Sequence, residues 1–518
     1  MEQIINKAKN SLYIPLAPIL GSILVIILSL AIFLVGSVAD KEIRAKQNTP
    51  FIGVNVAGYY TTMAESRTYN SQFPLNYYDE SFRTISQANM NNIRYLFTWE
   101  SYEKNPTQFV DELVAVANAA DKWGIKVIYA NDQYHISSWL DQQAGYGFPS
   151  ILFENNPSLP QGAGGSSDTP AAEIWWTEWY NRSIKDINGN DGWKLQADFL
   201  KKVVNTVNNH ISTLGYEILN EPQVYSVDQW DKLGKYNTFI ASELRTLTKK
   251  TIVFDRQLPS DIGGPIDAFP ENMAKMAPKN ETNILFKSTV YGLPTHCSYA
   301  EGRLNTAATT AQILRIPLWI GEFNMGITRQ HPFADLNQSE LNLFVQKFKG
   351  VNAWGWDLWV WSFKPSASNV KNYNLVNLTS SNHHITIETT KYFDYLKNSI
   401  SDTSGGESQT ICPTISMTKI AGESIGIRSP SSGPLTLKAK DITVEGTAYN
   451  AATGIKLVEI HLDGQNYRSA VPISKGNWIR WYASMPISNA SPGIHKLVAK
   501  ATDYAGNYNY DTVDVNVS

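Results

Sequence analysis

The chain has 518 residues, 43% hydrophobic and 18% charged, with 44 basic and 47 acidic side chains for a formal net charge of -3. That near balance excludes charge-driven partners such as nucleic acid, and the apolar content excludes disorder as the main state. Two cysteines, Cys297 and Cys412, cannot build a thiolate metal site or a disulfide framework, whereas 15 Trp, 26 Tyr and 19 Phe form an aromatic excess that needs a use.

No charged residue falls between Lys9 and Asp40, and positions 19–35 are almost purely apolar. About 20 such residues, rising about 1.5 Å each, cross a bilayer core. A transmembrane helix or signal anchor is therefore expected over 12–38, behind a short tail, 1–11. A cleaved secretory signal is the rival, because Ser37-Val38-Ala39 resembles a small-residue cleavage site. The expectation is a single-pass protein of the cell membrane with its remaining domains extracellular, or a secreted one if the signal is cleaved.

From 48 to 398 short apolar runs alternate with amphipathic stretches, the signature of βα units. Strands are predicted at 51–56, 92–97, 126–130, 215–219, 251–254, 283–286, 317–320 and 355–360. Eight of them point to an α/β fold, a (β/α)8 TIM barrel. A helix over 107–123 aligns Phe109, Leu113, Val116, Ala120 and Trp123 on one stripe, with Gly124 as its stop. An inserted loop, about 142–190, is rich in Gly, Ser, Pro and Trp. Its Trp175, Trp176 and Trp179 suit the wall of a cleft or one face of a helix equally well.

A Ser, Thr and Gly rich linker is read at 399–424, and 425–518 then turns to period-two alternation, as in Ile442-Thr443-Val444-Glu445. That pattern predicts an all-β sandwich. Trp478 and Trp481, three apart, fall on opposite faces of a regular strand. Cys297 and Cys412 could pair after export or remain two buried thiols.

Two strands run into carboxylates. Gly215-Tyr216-Glu217-Ile218-Leu219 leads to Asn220-Glu221-Pro222, and Pro317-Leu318-Trp319-Ile320 leads to Gly321-Glu322-Phe323-Asn324. Strands of a parallel barrel are buried on both faces, so charge at a strand end needs a reason. Pro222 ends its strand with Glu221 displayed on the rim, and Gly321 lets the backbone bend before Glu322. Two carboxylates on one rim suit glycosidic-bond cleavage, one protonated to donate to the leaving oxygen and one ionised to attack or stabilise the anomeric carbon.

Leu219-Asn220-Glu221-Pro222 with Ile320-Gly321-Glu322-Phe323 resembles the cellulase-type glycoside hydrolases of family 5, in the clan of retaining (β/α)8-barrel glycosidases, over about 50–395. The resemblance implies Glu221 as acid/base and Glu322 as nucleophile. It implies substrate-binding roles for Arg94, which would keep Glu322 ionised, for Asn220 at the sugar 2-hydroxyl, for Tyr291 orienting the nucleophile, and for Trp361 as the platform beneath the reacting sugar. Two departures stand out. Thr289 occupies a position where the family carries His, and a second family His would fall near Asn131 or Asp132, with His135 close by. The C-terminal segment resembles immunoglobulin-like sandwiches through Ala501-Thr502-Asp503-Tyr504-Ala505-Gly506-Asn507, and is read as a spacer.

The partners expected are thus a polysaccharide or oligosaccharide substrate and, through the N-terminal helix, the membrane, with no cofactor and no metal. The activity expected is an endo-β-glucanase-like hydrolysis. The alternative is a non-catalytic cell-surface glycan-binding or adhesion protein on a degenerate barrel.

Overall fold

Eight parallel strands close on themselves in sequence order. They are β1 (Phe51–Ala57), β2 (Asn92–Phe97), β3 (Lys126–Asn131), β4 (Thr213–Glu217), β5 (Thr251–Phe254), β6 (Ile284–Tyr291), β7 (Leu318–Asn324) and β8 (Gly355–Leu358). Closure is made where Phe51 of β1 pairs with Gly355 of β8. The structure is a computed structural model. It describes residues 50–59, 76–256, 270–291, 299–324, 338–362, 374–381, 384–401, 413–421, 425–426, 435–437, 441–450, 454–463, 467–488, 490–504 and 508–517. The apolar run expected to span a membrane, and both cysteines, lie outside the described residues. Among the described residues no helix is long and apolar enough to cross a membrane.

Each predicted strand is present, but two run further than their apolar patterns. β6 continues to Tyr291 and β7 through Glu322 to Asn324. Polar residues are admitted there because the barrel interior at this level is itself polar. The barrel floor is apolar, formed by Ile128, Val253, Leu285 and Trp319.

Helices pack outside the strands. The helix Pro106–Trp123 shows how locally this is dictated: Asn105 accepts the Gln108 N–H at 3.1 Å, Pro106 occupies the first turn, and Gly124 ends the helix at φ +68°. Its Phe109, Leu113, Val116 and Ala120 are buried as the stripe predicts, each large apolar side chain contributing about 1.5–3 kcal/mol.

The inserted region is largely ordered and carries a helix, Pro170–Tyr180. Trp175, Trp176 and Trp179 are fully buried on it, with Trp175 stacked on both Phe153 and Trp179. The helix-face reading holds for them, and the cleft-wall reading does not. Much of the aromatic excess is therefore core.

Two five-stranded sheets follow the barrel, one ordered Ile425–Gly426, Thr414–Ala421, Asp441–Tyr449, Asn477–Pro486, Val471–Ser474 and the other Leu435–Leu437, Tyr508–Val517, Gly493–Asp503, Ile455–Leu462, Arg468–Ser469. Their inner faces share one core, which includes Ile442, Val444, Val458, Leu497 and Val515. Strand Thr414–Ala421 emerges from the stretch read as linker. Trp478 and Trp481 both face this core, because the pairing of their strand with Val471–Ser474 slips between Pro472 and Ser474 and breaks strict alternation.

Candidate active site

Arg94 lies on β2 inside the barrel and is fully buried. Its Nε and Nη2 donate to the two oxygens of Glu217, both at 2.7 Å, in a bidentate fork. Nη1 donates to Glu322 Oε2 at 3.0 Å and to Asn55 Oδ1 at 2.9 Å, and Nη2 also donates to Asn220 Oδ1 at 2.9 Å. All five N–H donors of a guanidinium are used. Arg94 thus joins β1, β4 and β7 at one level, and its principal partner is Glu217, with Glu322 second.

Glu322 receives a second bond from Tyr291 Oη, at 2.8 Å to Oε1. The nucleophile candidate is held by one donor on each oxygen. Its place on β7 depends on a bulge: Lys287 pairs with Trp319 and Thr289 with Glu322, so β7 carries one more residue than β6 over this interval. Bulges of this kind re-aim side chains near active sites.

Glu221 follows β4 with φ +44°, a left-handed conformation that costs a non-glycine residue about 1–2 kcal/mol. Three contacts hold it there. Its N–H donates to Asp255 Oδ2 at 3.0 Å, and Gln133 Nε2 donates to the carbonyls of Asn220 and Glu221 at 3.0 and 3.3 Å. The residue is part-exposed at the barrel mouth, but its Oε1 is sealed from solvent and within hydrogen-bond geometry of no partner among the described residues. Burial, and then the charge of Glu322, push its carboxyl up to about 8. Asp255 adds to that push, while Lys287 and the Thr289 hydroxyl oppose it.

The structure thus brings Arg94, Asn220, Glu221, Tyr291 and Glu322 to one end of the barrel. Trp361 is a correction. It is fully buried, its Nε1 donates to Ser81 Oγ at 3.1 Å, and its ring meets Phe393 edge-on, so it cannot face a sugar. Past the end of β8 at Leu358 both Val360 and Trp361 are buried, Trp361 against the helices Tyr77–Gln87 and Lys391–Ser401. Trp359, two residues earlier, is partly exposed and lies over Ala57, Leu96 and Ala130 at the barrel mouth. If Trp359 is a stacking surface for a ligand, Trp359→Ala is expected to raise KM about tenfold or more with little change in melting temperature. Trp361→Phe is expected to lower the melting temperature and leave KM unchanged, and a raised KM in that variant alone would restore the original assignment.

His135 does not replace the family histidine. It bonds Asp141 at 2.6 Å and stacks on Tyr134 within its own loop. Asn131 is spent on the Ile218 carbonyl, at 3.0 Å. Asp132 instead stands beside Tyr146 Oη, at 3.3 Å, and burial pushes its carboxyl up to about 7.

Glu217, Lys287 and Asp255 were not singled out in the sequence. The signal was present, since Glu217 and Lys287 are charges inside parallel-barrel strands. Lys287 is fully buried, with Nζ 2.7 Å from both Asn220 Oδ1 and Asp255 Oδ2.

The cellulase model, glycosyl hydrolase family 5, matches residues 45–362. No curated protein matches the chain in sequence. Among solved structures, an endogalactoceramidase is 14% identical, with TM-score 0.50, over 84% of this chain and 94% of its own. Endo-glycoceramidase II from Rhodococcus sp. is 15% identical, with TM-score 0.47, over 84% and 96%. An endo-beta-1,4-mannanase from Thermotoga petrophila is 11% identical, with TM-score 0.39, over 91% and 99%.

Proposed function

Because the chain belongs to the cellulase family, glycosyl hydrolase family 5, over residues 45–362, we propose that it cleaves a β-linked polysaccharide of the glucan or mannan kind, endo-acting, by double displacement with retention. The observation that carries this reading is the single guanidinium of Arg94 bonded to both Glu322 and Asn220, which places the carboxylate on β7 beside the Asn220-Glu221 pair after β4.

In the first step Glu322 attacks the anomeric carbon, the glycosidic C–O bond breaks, and the Glu221 proton goes to the leaving oxygen. In the second, Glu221 as carboxylate takes a proton from water, the water oxygen attacks the same carbon, and Glu322 leaves. Glu221 suits the donor role because burial and Glu322 keep it largely protonated at neutral pH. Asn220 has its oxygen turned to cations, which leaves its nitrogen for the sugar 2-hydroxyl. Trp359 takes the platform role at the mouth.

The acid must be protonated, so kcat/KM is expected to fall as pH rises through about 8. The reading is tested by assaying reducing ends and product anomers on β-glucan, mannan, xylan and a β-glycosylceramide. The glycolipid is included because one fold neighbour is an endogalactoceramidase. A β-anomer as first product supports it. No cleavage of any member, or an α-anomer first, overturns it.

The apolar run at 19–35 supports an exported, membrane-anchored enzyme, checked by cell fractionation and protease accessibility. The C-terminal strand order supports an immunoglobulin-like spacer. Lettering Thr414–Ala421 as A, Asp441–Tyr449 as B, Ile455–Leu462 as C, Val471–Ser474 as D, Asn477–Pro486 as E, Gly493–Asp503 as F and Tyr508–Val517 as G gives A-B-E-D in one sheet and G-F-C in the other.

A further inference from the structure

Lys287 is a fully buried cation inside the barrel, on the strand that also carries Thr289 and Tyr291. Alternation along β6 points all three inward, with Lys287 one level below. A buried ammonium is costly unless paired and hydrogen-bonded. Here Nζ is 2.7 Å from Asn220 Oδ1, 2.7 Å from Asp255 Oδ2, 3.5 Å from Glu217 Oε1 and 3.9 Å from Glu322 Oε2.

Two consequences follow for the groups already placed in the site. Asn220 Oδ1 accepts from both Lys287 Nζ and Arg94 Nη2, so both of its lone pairs are taken by cations. The amide cannot flip without setting its own N–H donors against two positive charges. Among the described residues its Nδ2 has one long contact, 3.4 Å to the Gln133 carbonyl. Asp255 Oδ2, the acceptor for the Glu221 N–H, is the same atom that Lys287 holds, so the left-handed backbone of Glu221 is anchored through the lysine.

Space has been made for this side chain. A Cβ on Gly321, the residue before Glu322, would lie 2.7 Å from Lys287 Cγ and 3.1 Å from its Cδ and Cε. Gly321 therefore serves the lysine stem as well as the bulge in β7.

We propose that Lys287 is a positioning residue: its ammonium locks the Asn220 amide with the nitrogen toward the cleft and, through Asp255, holds the backbone of Glu221. The assignment rests on the retaining-hydrolase reading above. Its electrostatics agree with the geometry. Burial and Arg94 push the ammonium down, but Asp255, Glu217 and Glu322 outweigh them and keep it above the usual lysine value.

The test compares wild type, Lys287→Met and Lys287→Arg on an aryl β-glycoside and its 2-deoxy counterpart, chosen from the sugars the wild type accepts. The ratio of the two kcat/KM values does not depend on how much of a variant is folded. It is expected to fall about tenfold or more in both variants, because the Asn220 amide is no longer held for the 2-hydroxyl. In Lys287→Met the basic limb of the pH profile is expected to move to higher pH, since a cation that opposes burial, Glu322 and Asp255 at Glu221 has gone. In Lys287→Arg, which keeps the charge, the limb stays near the wild-type position. If Lys287→Met does not fold, the ratio in Lys287→Arg decides. An unchanged ratio in every variant that folds overturns the assignment and leaves Lys287 a structural cation. A wild type inactive on every glycoside overturns the hydrolase reading itself, and the assignment falls with it.

Discussion

Glu322→Gln is expected to reduce turnover of every glycoside to near background, whereas Glu221→Gln is expected to lose about 10²–10⁴ in kcat on polysaccharide and far less on a substrate with a strongly acidic leaving group. The asymmetry follows from the two proposed roles. An amide at position 322 keeps the outline, and its one oxygen can still accept from Arg94 while its nitrogen faces the Tyr291 hydroxyl oxygen, but it supplies no nucleophile, so no leaving group rescues it. An amide at position 221 cannot protonate the leaving oxygen, and a dinitrophenolate does not need that proton. The second step would then be slow, because the general base is also gone, and added azide should restore turnover by attacking the glycosyl-enzyme. Steady-state kinetics on polysaccharide and on the dinitrophenyl glycoside, with and without azide, check this. Equal losses on both substrates in Glu221→Gln would overturn the acid/base assignment.

Arg94→Met is expected to destabilise the barrel by about 3–5 kcal/mol, the usual cost of leaving a buried ion-pair partner uncompensated. Glu217 is fully buried and takes two of the five bonds that Arg94 makes. Burial pushes Glu217 upward, but Arg94 and Lys287 outweigh it and hold its carboxyl below the usual range. A depressed folded value stabilises above the unfolded pKa, about 4.3 for glutamate, and that stability is lost as pH falls through the folded value. The gap in melting temperature between wild type and Arg94→Met should therefore be largest near neutral pH and narrow on acidification below about 4. Arg94→Lys should also fall short, because an ammonium has three donors where five acceptors wait. Thermal melts of both variants at neutral and acidic pH check this. A gap independent of pH would mean that Glu217 is not the main partner.

The residues legible in the sequence were those whose local pattern is anomalous. Asn220-Glu221-Pro222 and Gly321-Glu322 interrupt apolar runs at strand ends, and the barrel brings their strands into one ring. Trp361 was misassigned because an aromatic after the eighth strand can face the mouth or the helices, and only the path beyond Leu358 decides which. Trp175, Trp176 and Trp179 fit two readings because a helix face looks the same in sequence whether it meets solvent, sugar or core.

The sequence by itself determined the period of each element, the count of barrel strands, the two carboxylates at their ends and the near-neutral charge, because these depend on local spacing and composition. Only the tertiary structure decided that Arg94 serves Glu217 before Glu322, that Lys287 and Asp255 stand behind the Asn220-Glu221 pair, and that Trp359 rather than Trp361 lies at the mouth. The physical reason is that a buried charge is tolerated only with its partners, and those partners come from strands far apart in sequence, 228 positions between Arg94 and Glu322. No local pattern encodes that distance. Closing the barrel does.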